Sequence, residues 1–119
     1  SGSSMEWFAY SNLGLLEALQ GDARVARDLL ERCIQGFMSS GRAGYVTHPR
    51  VYLLPALAGV ADWTALRDHI AVVMETVEQT RTKGDPDMAE AVSVAAHRAG
   101  TAGEAWLASQ LRELLTEVG

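Results

Sequence analysis

One cysteine and three histidines are the side chains of this 119-residue chain best suited to nucleophilic or acid–base chemistry. Cys33 would act as a nucleophile if a neighbouring histidine lowered the pKa of its thiol. It instead falls within a helical stripe of apolar residues, where a small packing residue is expected. His48, His69 and His97 are dispersed, and none has a ligating side chain four residues away. The sequence therefore predicts neither a catalytic pair nor a zinc site.

Two other patterns imitate ligand sites. Gly36 and Gly41 have the spacing of a phosphate-binding loop, but Arg42 and Ala43 stand where lysine and a hydroxyl residue are needed. An acidic cluster lacks the regular oxygen spacing of a calcium loop and is expected to stabilise a helix N-terminus instead. Its members are Asp85, Asp87 and Glu90. We expect no enzyme activity, no cofactor and no metal.

The composition indicates one globular domain. Hydrophobic residues make up 48% and charged residues 21% of the chain, and no apolar run approaches the roughly 18 residues of a membrane-spanning helix. A net charge of −5 argues against nucleic acid and anionic lipid as partners. A single cysteine excludes an internal disulfide, which suits a cytoplasmic protein. Ser1–Ser4 are expected to be a cloning scar, and residues 5–119 to form a single domain.

Apolar residues recur at the spacing of α-helices. The segment from Asp22 to Met38 carries one continuous stripe: Ala26, Leu29, Leu30, Cys33, Ile34 and Phe37. Two later segments repeat this pattern, from Leu66 to Val77 and from Leu107 to Val118. A shorter helix is expected before each stripe, at about Glu6–Gln20, Pro49–Val60 and Pro86–Ala99. The sequence thus predicts an all-α fold of six helices.

The helix boundaries recur at a nearly constant interval. Asp22 and Asp62 are each placed to cap a helix, whereas Gly100 is placed to end one before a capping box of Thr101 and Glu104. Asp22, Asp62 and Thr101 lie 40 and then 39 residues apart. This repetition predicts an α-solenoid of three antiparallel helix pairs.

Two local features depart from a regular repeat. Pro55 is expected to kink the third helix or to delay its start. The loop from Ser39 to Thr47 contains two glycines and is expected to be mobile or to be a site of contact. Asp85 and Pro86 are expected to restart the chain as the fifth helix.

The first unit resembles a tetratricopeptide repeat. The matching positions are Tyr10, Leu13, Gly14, Gly21, Asp22, Ala26, Leu30 and Cys33. Gly14 and Ala26 are expected to face each other where the two helices cross closely. The resemblance implies a right-handed superhelix with units at about 6–38, 49–82 and 86–118. It also implies a non-catalytic protein–protein interaction scaffold, as in helical segments of large bacterial signalling and regulatory proteins.

By this resemblance, the first helix of each unit lines a concave groove for a protein or peptide partner. The groove residues would be Phe8, Asn12, Leu15, Leu19, His48, Tyr52, His97 and Arg98. Asn12 stands where chaperone-binding members of the family hold a C-terminal carboxylate. The lysines that accompany it there are absent, so that specificity is not expected.

The start of the first helix is apolar, although the end unit of a complete solenoid needs a polar cap. Trp7 and Phe8 therefore suggest a homodimer, or a longer array, in contact through this end. A different class of function stays open: a small-ligand sensor with a pocket between helix pairs near Tyr52, Pro55 and Trp63.

Overall fold

The computed structural model describes residues 4–119, and these form six α-helices with no β-strand among them. The helices are α1 (Ser4–Gln20), α2 (Ala23–Ser39), α3 (Thr47–Gly59), α4 (Trp63–Thr80), α5 (Pro86–Thr101) and α6 (Ala105–Val118). One turn of 3₁₀ helix, Ala43–Tyr45, lies between α2 and α3. The predicted all-α fold of six helices is confirmed. Residues 1–3, which belong to the predicted cloning scar, lie outside the described residues.

Three helices begin at an aspartate, as the sequence predicts. The carboxylate of each accepts hydrogen bonds from backbone N–H groups in the first turn: Asp22 from Arg24 and Val25, Asp62 from Ala65, and Asp85 from Met88. These N–H groups have no partner within the helix, so each aspartate stabilises its helix start. Pro86 takes the first position of α5, where its missing N–H has no cost.

The end of α5 lies two residues later than predicted, at Thr101 rather than at Ala99. The helix continues through Gly100 to Thr101, and Gly103 ends it with a left-handed φ of 82°. The N–H of Gly103 bonds to the Gly100 carbonyl at 3.1 Å, and the N–H of Glu104 bonds to the Ala99 carbonyl at 2.9 Å. These two bonds form a Schellman motif, which needs its glycine at the left-handed position. The predicted capping box of Thr101 and Glu104 is therefore wrong.

Helix α3 lies at the centre of the fold, in contact with α1, α2, α4 and α5. Its residues from Val51 to Ala58 are all buried, as expected for a helix that is apolar on every side. It begins at Thr47 and continues past Pro55 to Gly59, so the delayed start that the proline suggested does not occur.

The remaining helices surround α3 in two groups. Helices α1 and α2 pack on one another and on α3. Helix α4 contacts α3 and α6 while hardly touching α5, and α5 contacts α3 and α6, so helices α3 to α6 enclose one shared core. The radius of gyration is 13.1 Å, close to the roughly 13.5 Å of a compact chain of this length. No helix in residues 4–119 combines the length and apolar character needed to cross a bilayer.

Helices α1 and α2 approach closely at Gly14. A Cβ atom at this position would lie 2.6 Å from Cγ and Cδ2 of Leu30. The predicted close crossing is present, but the nearest side chain is Leu30 rather than Ala26. The missing side chain of Gly14 leaves room for Leu30, which is fully buried.

Candidate functional site

Cys33, the candidate nucleophile, and His69, a half-buried histidine, each form a hydrogen bond to a backbone carbonyl. The thiol of Cys33 donates to the carbonyl oxygen of Trp7 at 3.1 Å, and burial raises its pKa to about 11. It is therefore protonated at neutral pH and packs between helices. The Nε2–H of His69 donates to the carbonyl of Arg50 at 2.7 Å, and burial lowers the pKa of its ring. Within residues 4–119, both side chains thus bond to backbone carbonyls of neighbouring helices.

The predicted groove residues on α1 divide between surface and interior. Phe8 and Asn12 are exposed, and the Phe8 ring lies 5.2 Å from Phe37 and 5.1 Å from Tyr45, centroid to centroid. Leu15 packs against the main core and Leu19 is half-buried. Only the first two are therefore fully available to a partner.

Tyr52 belongs to the core. It is 3% exposed, and its pKa is raised by burial and further by the charges of Asp85 and Asp87. A partner could not contact it without opening the fold, so its assignment to a groove is corrected. His48 is exposed next to it, with Nε2 at 2.8 Å from Oδ2 of Asp85 and its ring edge against Tyr52. These contacts join the starts of α3 and α5.

Arg98 is half-buried and bonded to backbone carbonyls. Its Nη1 donates to Ala18 at 2.6 Å and to Pro55 at 2.9 Å, and its Nη2 donates to Leu19 at 3.4 Å. Burial lowers the pKa of the guanidinium. The side chain thus joins α1, α3 and α5 rather than standing free in a groove. His97, its neighbour in sequence, is exposed.

The turns of the three predicted units meet around one open depression of about 910 Å³. We call it the turn-end depression. Its lining comprises Gly21, Asp22, Ala23, Arg24, Ala58, Gly59, Val60, Ala61, Trp63, His97, Arg98, Thr101 and Ala102. Of the three residues near which a sensor pocket is predicted, Tyr52 and Pro55 are buried in α3, and Trp63 lines this depression.

Apolar side chains also remain exposed on the side of α1 turned away from the core. Met5 is 82%, Leu16 52%, Leu13 47% and Phe8 43% exposed. With Asn12 between them, these residues form what we call the α1 outer face. By contrast Trp7, predicted as part of an apolar end, packs its ring over Gly36 and against Tyr10. Tyr45, from the loop between α2 and α3, packs its ring on Phe8.

Comparison with protein-family models, curated proteins and solved structures finds no match. Within residues 4–119, no three histidine, cysteine, aspartate or glutamate side chains are grouped so that they could hold a metal ion. The candidate functional surfaces are therefore the turn-end depression and the α1 outer face.

Sequence reasoning missed two features of these surfaces. The exposure of Leu13 and Leu16 could have been suspected, because α1 is apolar on every side and a helix of that kind needs cover on every side. No sequence pattern near Arg98 predicts its hydrogen bonds, because the acceptors lie on other helices up to 80 residues away.

Proposed function

We propose that this chain is a non-catalytic protein–protein interaction domain, and that a partner packs on the α1 outer face. The observation that supports this is the exposure of Met5, Leu13 and Leu16 on one side of a single helix. Water-exposed apolar patches of this kind mark interaction sites in soluble domains. Burying the patch would remove this apolar surface from water, which favours association.

The chemistry of the α1 outer face indicates what would cover it. It carries no charge, and Asn12 is its only polar member. A helix surface of leucine and methionine packs well on the ridges and grooves of another apolar helix. We therefore propose a partner that presents a helix with an apolar stripe. A separate protein, a second copy of this chain and a further unit of a longer array would each satisfy this requirement.

We further propose that the helix pairs α1–α2, α3–α4 and α5–α6 are degenerate tetratricopeptide-like units of a right-handed solenoid. Two observations support this: the turns at the 40-residue interval line one depression, and α1, α3 and α5 contact one another in succession. One contact departs from a regular solenoid: α4 packs on α6 instead of α5. A regulatory segment of a larger bacterial signalling protein would suit such a scaffold.

The test is capture of a partner with matched variants of the domain. Immobilised wild type, the double variant L13E/L16E and the control V72E are exposed to lysate of the organism that makes the protein. Val72 is an exposed apolar residue on α4, so V72E adds a charge away from α1. We expect one protein to be retained by wild type and V72E and lost with L13E/L16E.

Circular dichroism and thermal melts of all three proteins first establish that the fold is intact. Light scattering of the purified domain shows whether the partner is a second copy. Retention of the same proteins by the double variant, or of none by the wild type in the absence of self-association, would count against the proposal.

The alternative function, small-ligand sensing, has one observation in its favour. The turn-end depression has a volume of about 910 Å³, within the range of ligand pockets, and polar side chains converge on it. Thermal melts with a metabolite collection would test this: a ligand that raises the melting temperature would favour it.

A further inference from the structure

We propose that the turn-end depression binds a carboxylate ligand through Arg98 and Arg24. This site lies at the C-terminal end of α1, whereas the α1 outer face begins at its N-terminal end. The two proposals therefore use different residues, and each can fail without the other.

The first observation is an excess of positive charge in the depression. Within residues 4–119, Arg27 and Arg32 are paired with carboxylates, but Arg24 and Arg98 have none within 4.0 Å. The one carboxylate in the lining is Asp22, and it accepts hydrogen bonds from the first turn of α2. Two guanidinium groups therefore face one carboxylate in a protein whose net charge is −5. An anionic ligand would balance this local excess.

The second observation concerns the guanidinium N–H groups of Arg98 that make no hydrogen bond to the described residues. A guanidinium has five N–H groups, and the bonds to Ala18 and Pro55 use both of those on Nη1. The bond to Leu19 uses one on Nη2. Among the described residues, the Nε–H and the second Nη2–H have no acceptor. Because Nη1 donates to Ala18 and Nη2 donates to its neighbour Leu19, these bonds use the edge between Nη1 and Nη2. The edge between Nε and Nη2 is left for a ligand, and its two parallel donors match the two oxygens of a carboxylate.

The same donors disfavour a phosphate. Two parallel N–H groups match the two oxygens of a carboxylate, whereas a phosphate presents a further charged oxygen that these two donors would leave without a hydrogen bond. The exposed Arg24 adds attraction without fixed geometry, because its side chain has no hydrogen bond within residues 4–119. The ligand class is therefore a carboxylate, held by Arg98 and attracted by Arg24.

The shape of the depression accommodates more than the carboxylate group. Small residues such as Gly59 and Ala58 leave room in it, Trp63 contributes a half-buried indole, and His97 is exposed. The volume suits either a small di- or tricarboxylate or the glutamate side chain of a peptide with its neighbours. Both sources present the same group to Arg98, so they are separated by experiment.

The test is a titration followed by two-dimensional amide and indole NMR of the folded domain. The probes are citrate, a hexapeptide of glutamate and glycine with both termini blocked, and inorganic phosphate. We expect a carboxylate probe to shift the signals of the depression, including the Trp63 indole, and to bind more weakly in 0.5 M salt because charge is screened.

Three variants locate the binding. R24Q removes the exposed cation, and we expect binding about tenfold weaker because the attraction of its charge for the anion is lost. A102E places a competing carboxylate at the exposed end of α5 and should abolish binding. R81Q is the matched control, since it removes an exposed arginine outside the depression and should leave binding unchanged. Arg98 itself is left intact because it also holds three helices together.

Each outcome decides the proposal. Binding of the peptide, of citrate or of both, with the expected loss in R24Q and A102E, supports the site and identifies the source of the carboxylate. Binding of phosphate alone would overturn the ligand class. The site itself would be refuted if neither carboxylate probe bound, or if R24Q and A102E bound as tightly as wild type.

Discussion

The guanidinium of Arg98 donates a 2.6 Å hydrogen bond to the carbonyl oxygen of Ala18, a residue 80 positions earlier in the chain. Ala18 lies in the last turn of α1, where carbonyl groups have no helical N–H to accept from. A positive charge is also favourable at this end of the helix dipole. With its second bond to Pro55, one side chain of α5 therefore links the last turn of α1 to the C-terminal half of α3.

Replacement of Arg98 should weaken the whole fold. We expect R98A to lower the free energy of unfolding by about 2–3 kcal/mol, because carbonyl acceptors lose a charged donor. R98K should be intermediate, since one ammonium cannot reproduce the planar fork. Urea denaturation provides the values, with R112A on the exposed surface of α6 as the control. Equal losses in R98A and R112A would show that the bonds contribute little.

Ala61 holds a conformation that suits glycine. It ends α3 at a φ of 59°, and its N–H bonds to Ala58 while the N–H of Asp62 bonds to Leu57, as in a Schellman motif. We expect A61G to raise the free energy of unfolding by about 0.5–1 kcal/mol through relief of left-handed strain.

The matched control for A61G is the same replacement at Ala71, an exposed position within α4. There glycine should lower the free energy of unfolding by about 1 kcal/mol, because the backbone is helical. Thermal melts of both variants provide the comparison. A loss of stability in A61G similar to that in A71G would contradict the prediction.

Tyr52 should be needed for folding rather than for binding. We expect Y52A to lower the free energy of unfolding by about 3–5 kcal/mol, because it leaves a large cavity beside α3. Y52F should be tolerated, since the hydroxyl has no hydrogen bond within residues 4–119. Urea denaturation of both variants tests this. A stable Y52A that loses partner binding would instead restore Tyr52 to the predicted groove.

His69 should make stability depend on pH just below neutrality. Burial lowers its pKa in the folded protein, with an opposing effect from the bond to the Arg50 carbonyl. Between the lowered value and the usual pKa of about 6.5, the unfolded chain binds more protons. The free energy of unfolding should therefore fall as pH decreases through this range, by at most about 1.4 kcal/mol per unit.

Urea midpoints at pH 7.5, 6.5 and 5.5 measure this dependence, in a window above the titration of most carboxylates. The variant H69Q should flatten it, whereas H97Q, at an exposed position, should leave it unchanged. An unaltered slope in H69Q would assign the dependence to other groups.

Features that depend on neighbours in the chain were predictable. Asp22, Asp62 and Asp85 cap helices because each carboxylate reaches N–H groups two or three residues away. The same local reasoning was wrong at Gly100, since two glycines lie three residues apart and either could end α5. The turn forms at Gly103, whose left-handed conformation completes both bonds of the motif.

The sequence by itself determined an all-α chain of six helices, the capped starts of three of them and the packing role of Cys33. These follow from spacing and from bonds within one turn. Only the tertiary structure decided that Tyr52 is buried, that Arg98 bonds to α1 and α3, and that Leu13 and Leu16 remain exposed. The physical reason is that an apolar helix has the same pattern whichever side is covered. Helices distant in sequence decide which side of such a helix is buried. They also decide which carbonyl groups accept hydrogen bonds from a long side chain such as that of Arg98.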